Sequence, residues 1–152
     1  MPSVHDTPES RARNCLDGRG TLQRLLERHA KDKLLVFVAR TKDALAIAVQ
    51  DLIPLIAAET SAKERGAILD ALRAGRLGGL VSARVLNEGI DLPDASVAVL
   101  VAGKLGKREV IQRVGRVLRP AEGKRATVYT LVSHGTLEER RFARSFGDLA
   151  DA

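Results

Sequence analysis

A chain of 152 residues has the size of one domain and can bury most of its apolar surface in a single core. Hydrophobic residues make up 45% of it and aromatics only 3%, with no Trp. The core must therefore be built from Leu, Val, Ile and Ala, a palette that suits buried parallel strands flanked by helices and argues against a surface that stacks bases on rings. Lys and Arg number 25 against 19 Asp and Glu, a formal charge of +6 with a pI near 10.0, which points to a polyanionic partner such as nucleic acid.

Cys15 is the single cysteine, so neither an internal disulfide nor a zinc or redox set of cysteines is available. His5, His29 and His134 lie far apart in the sequence and read as surface residues rather than metal ligands; no metal site is expected. No apolar run approaches the roughly 20 residues of a membrane span, and the polar N-terminus lacks a secretory apolar region. A cytoplasmic protein with no membrane partner is expected.

Residues 1–20 carry Pro2, Pro8, Gly18 and Gly20 among charges without an apolar period and read as a flexible lead-in, leaving 21–152 as the domain. From Thr21, the spacing of Leu22, Leu25 and Leu26 predicts a helix to about Asp32. The continuous apolar run from Leu34 to Ala39 predicts a strand buried on both faces. Ala44, Leu45, Ala48, Val49 and Leu52 then recur at helical spacing, with Thr41 as the expected N-cap. A weaker strand is expected over Pro54–Ala58. Ser61-Ala62-Lys63-Glu64 has the form of a capping box opening a helix that stops at Gly75.

Gly79-Leu80-Val81 is expected to be a third strand, followed by a loop from Ser82 to Pro93. Ser96–Val101 is the fourth strand, and a loop containing Gly103-Lys104-Leu105-Gly106-Lys107 leads to a helix carrying Gln112-Arg113-Val114-Gly115-Arg116-Val117-Leu118-Arg119. On that helix Gln112, Arg116 and Arg119 share one face, with Ile111, Val114 and Leu118 roughly opposite. Two guanidinium forks a turn apart, Arg116 and Arg119, suit a phosphate, and Gly115 next to Arg116 admits a close approach. Pro120 ends the helix. A fifth strand over Thr127–Val132 and a helix opened by Thr136-Leu137-Glu138-Glu139 complete the chain. Strands alternating with helices predict an α/β fold, an open, mostly parallel sheet with helices on both faces and its ligand edge at the carboxyl ends of the strands.

The segment Asn87-Glu88-Gly89-Ile90-Asp91-Leu92-Pro93 sets a glycine between carboxylates that can accept a ribose hydroxyl or orient an arginine. Taken in order, these segments resemble the C-terminal RecA-like lobe of superfamily 2 helicases. Leu35-Val36-Phe37-Val38 resembles the motif IV strand, Ser82 to Pro93 motif V, and Gln112 to Arg119 motif VI, Q-x-x-G-R-x-x-R. Within the superfamily the wording is most similar to the xeroderma pigmentosum group B type of DNA repair helicase, in Glu59-Thr60-Ser61 through Arg65, Asn87 to Ala95 and Gln112 to Pro120.

The resemblance implies roles. Arg116 and Arg119 would reach ATP phosphates across a cleft, with Arg119 as the arginine finger that stabilises charge on the γ-phosphate. Gln112 would link nucleotide to nucleic acid, and Gly89 and Asp91 would contact ribose or the motif VI side chains. Arg40, Thr41, Ser82 and Arg84 would contact the nucleic-acid backbone, with DNA favoured over RNA. ATP and magnesium would be shared with a Walker A lobe, because none of the Gly-Lys pairs at Gly103, Gly106 and Gly123 is followed by Ser or Thr. The expectation is a motor lobe, an excised fragment or a separately encoded remnant, without appreciable ATP hydrolysis on its own. Two rivals are a non-enzymatic nucleic-acid- or partner-binding module and an unrelated doubly wound domain that binds a phosphorylated small ligand.

Overall fold

The structure, a computed structural model, describes residues 2–6, 18–83, 95–101 and 127–133. Its elements in chain order are β1 (Pro2–Asp6), α1 (Gly18–Arg28), β2 (Leu34–Val38), α2 (Thr41–Asp51), β3 (Leu55–Ile56), α3 (Ala62–Arg73), β4 (Gly79–Ala83), β5 (Val97–Val101) and β6 (Thr127–Ser133). They form one sheet in the order β1-β6-β5-β2-β4-β3, in which every neighbouring pair is parallel except β1 with β6. The expected α/β architecture, a mostly parallel sheet with helices on both faces, is the one observed.

Strand β2 lies in the middle because its five residues are apolar without interruption: flanked by β5 and β4, it is buried throughout. Its alternating side chains feed two cores. Leu34, Val36 and Val38 join Val81, Val97, Val99, Tyr129 and Leu131 beneath α1 and α2, which contribute Leu22, Leu25, Ala44 and Ala48. On the other face Leu35 and Phe37 join Ile56, Leu80, Ala98 and Leu100 beneath Leu69 and Leu72 of α3. A Cβ on Gly79 would sit 2.9 Å from the Leu34 carbonyl oxygen, so β4 can lie this close to the start of β2 only with glycine there.

Several expectations need correction. Within the expected lead-in, Pro2–Asp6 is a strand, antiparallel to β6 with Asp6 opposite Tyr129; as an edge strand it gains its backbone bonds from one neighbour. Helix α1 starts at Gly18 and ends at Arg28, where turn bonds such as Asp32 N–H to the His29 carbonyl replace the helical ladder. The N-cap of α2 is Arg40 rather than Thr41, because the extended backbone continues to Arg40 (φ −113°, ψ 132°) and Thr41 already belongs to the helix. Strand β4 runs past Val81 through Ala83, which moves Ser82 from the expected loop into the sheet, between Phe37 of β2 and Ile56 of β3.

The capping box is seen in its main half: the Glu64 N–H donates to Ser61 Oγ at 3.2 Å. At the other end of α3, Gly75 takes φ +76°, its N–H donates to the Leu72 carbonyl and that of Arg76 to the Ala71 carbonyl, a Schellman closure that stops the helix where the sequence predicts. His29 is not the expected surface residue. Its Nδ1 lies 2.8 Å from Asp32 Oδ2 and its Nε2 2.8 Å from the hydroxyl of buried Tyr129. With the carboxylate accepting from Nδ1–H, Nε2 accepts from the tyrosine O–H, and α1 is tied to β6.

Candidate nucleic-acid interface

Because β2, β3, β4, β5 and β6 run parallel, their carboxyl ends share one edge, and the register brings Val38 of β2 beside Ala83 of β4, with Phe37 beside Leu100 of β5. This edge holds every described residue of the expected site, two at the turn after β2 and Ser82 near the end of β4. Arg40 and Thr41, exposed, open α2 directly after β2. Arg40 gives that helix no side-chain cap, and the first intrahelical bond is Ala44 N–H to the Arg40 carbonyl at 3.0 Å. The amides of Thr41, Lys42 and Asp43 therefore precede the helical ladder at the positive end of the helix dipole, an arrangement that favours an anion.

On the opposite face of the sheet, at the same edge, the turn from Ala57 to Ser61 leads into α3. It is closed by the Ala57 N–H donating to Thr60 Oγ1 at 2.9 Å and the Thr60 N–H donating to the Ala57 carbonyl at 3.1 Å. Arg65 stands in the first turn of α3, four residues before Leu69 and seven before Leu72, on the stripe that packs against the sheet. Its Nε is buried without a hydrogen-bond partner. Ser82, in the last turnless pair of β4 residues, is 3% exposed, and its Oγ is also buried without a partner. The two groups share a face of the sheet and its carboxyl edge.

The described charged residues at this edge are Arg40, Lys42, Lys63 and Arg65 with Asp43, Glu59 and Glu64. The one carboxyl among the described residues displaced from its ordinary range is Asp51, raised by burial at the far end of α2 and therefore outside this edge. No group of three or more His, Cys, Asp or Glu among the described residues could hold a metal ion. No described helix is long and apolar enough to cross a membrane.

Of the expected site residues, the structure brings Arg40, Thr41 and Ser82 to one edge, the first two at its surface and Ser82 beneath it. Arg84, Gly89, Asp91, Gln112, Arg116 and Arg119 lie outside the described residues. Arg65 was not among the expected site residues. Its signal in the sequence is an arginine placed on the apolar stripe of its helix, in phase with Leu69 and Leu72, where a solvated cation would not be put.

Three comparisons bear on this edge. A model of the helicase conserved C-terminal domain matches residues 18–121. The chain is 35% identical over 119 residues to the DNA 3'-5' translocase XPB2 of Sulfurisphaera tokodaii, covering 78% of this chain and 27% of that protein. It is 37% identical over 136 residues to the DNA 3'-5' helicase XPB of Mycobacterium tuberculosis, covering 86% of this chain and 25% of that protein. The chain thus spans about a quarter of the length of these curated relatives. Among solved structures, Saccharomyces cerevisiae Dbp5 bound to RNA and ADP BeF3 superposes with a TM-score of 0.73 at 22% identity, over 90% of this chain and 37% of that one, a likeness of fold. The family match over residues 18–121, supported by relatives of the XPB type and by a RecA-like sheet, establishes that the chain belongs to the family of helicase conserved C-terminal domains.

Proposed function

We propose that the chain acts as the second motor lobe of a superfamily 2 ATP-dependent DNA helicase or translocase and presents its carboxyl edge to a DNA strand and to a Walker A lobe. The observation that carries this reading is the parallel register that levels the ends of β2, β4 and β5, the three strands followed or occupied by segments resembling motifs IV, V and VI. DNA is favoured over RNA because relatives 35% and 37% identical to the chain are named as a DNA translocase and a DNA helicase, and a cytoplasmic setting is proposed with it.

In this proposal Arg40 and the uncapped first turn of α2 at Thr41 meet backbone phosphates, and Arg84 is assigned to the same contact. Arg65 adds a guanidinium from the other face of the sheet. Ser82, buried near the end of β4, lies beneath this surface. Gly89, Asp91, Gln112, Arg116 and Arg119 are assigned to the nucleotide, with Arg119 as the finger. ATP with magnesium would supply the driving reaction, its phosphates and metal held mainly by the Walker A lobe.

The test joins this chain to a Walker A lobe taken from one of the relatives and measures DNA-stimulated ATP hydrolysis. The expected result is turnover in the joined protein, none above background in the chain alone, and a fall of roughly 10²-fold or more in Arg119→Lys, since a point charge cannot replace the bidentate fork. Turnover that survives Arg119→Lys at full rate would overturn the assignment. Salt-sensitive DNA binding without turnover in the joined protein would identify a non-enzymatic binding module instead.

A further inference from the structure

We draw no further inference here: the strongest candidate, the exposed apolar stripe Leu45, Val49 and Leu52 on the outer face of α2, has nothing in the structure to show what covers it.

Discussion

Ser82→Ala should stabilise the chain. The Ser82 side chain is 3% exposed, and its Oγ has neither protein partner nor access to solvent. A hydroxyl taken out of water without a replacement bond costs about 1–3 kcal/mol. Alanine removes that cost and leaves the space of one oxygen atom, a void worth roughly 0.3 kcal/mol at the usual dependence on cavity volume. The neighbours Phe37 and Ile56, paired with Ser82 across β2 and β3, are apolar and lose no bond when the hydroxyl goes. The net expectation is a gain of about 1–2 kcal/mol, or about 3–6 °C in Tm for a domain of this size. Urea denaturation of both proteins checks it, with an unchanged slope showing that the native and unfolded states keep their exposed areas. A loss of stability in Ser82→Ala would refute the reasoning, because it would mean that the hydroxyl has a partner in the folded chain.

Three further outcomes follow from the same kind of accounting. Leu52 ends α2 in the left-handed region (φ 53°) with 90% of its surface exposed. That conformation costs an L-residue about 1–2 kcal/mol, and glycine returns about 0.5–1 kcal/mol as unfolded-state entropy. Leu52→Gly should therefore raise stability by about 0.5–1 kcal/mol in denaturant titration, whereas Leu52→Ala, which keeps the strain, should not. Tyr129→Phe strips the O–H that His29 Nε2 accepts at 2.8 Å and should cost about 1–2 kcal/mol, read as a lower urea midpoint; an unchanged midpoint would show that water replaces the bond. Burial raises the Asp51 carboxyl above its ordinary 3.8, so the folded chain holds the proton more tightly than the unfolded one, and stability falls as pH rises from about 3.8 through the raised value. Asp51→Asn should thus raise Tm at pH 7, and the advantage should shrink as the pH drops toward 3.8; an advantage constant with pH would refute the burial argument.

Periodicity and composition were enough to read the layers of the fold, because the apolar run at Leu34–Ala39 has no sheet position open to it except a central one, and Ser61 with Glu64 marks the start of α3 by its own backbone chemistry. What they could not supply depends on partners distant in sequence. Nothing local in Pro2–Asp6 specifies an antiparallel strand; the open edge of β6 does, more than a hundred residues later. Ser82 looks like a loop residue because serine is common in turns, and only its pairing with both Phe37 and Ile56 places it inside the sheet. His29 reads as a surface residue until Tyr129, 100 residues away, is brought to its Nε2. At the interface, Arg40 and Thr41 were legible because they directly follow the central strand. Arg65 was passed over because a single cation on an amphipathic helix is ordinarily a matter of solvation.

Among the described residues, satisfied and unsatisfied polar groups fall toward different edges of the sheet. At the amino edge, Lys33 Nζ donates to the Arg73 carbonyl at 3.1 Å, the Leu34 N–H to the Gly78 carbonyl at 3.0 Å and the Thr127 N–H to the Ser96 carbonyl at 2.8 Å. There α3 ends in its Schellman closure, and the Asp32, His29 and Tyr129 chain completes the stitching. The two buried side-chain polar atoms without partners among the described residues, Arg65 Nε and Ser82 Oγ, both lie toward the carboxyl edge, as does the uncapped start of α2. Buried polar groups in native domains are overwhelmingly paired, so unmet groups gathered on one side call for a cause located on that side. Under the proposed function, a phosphate backbone would offer acceptors to the Arg65 guanidinium on that side.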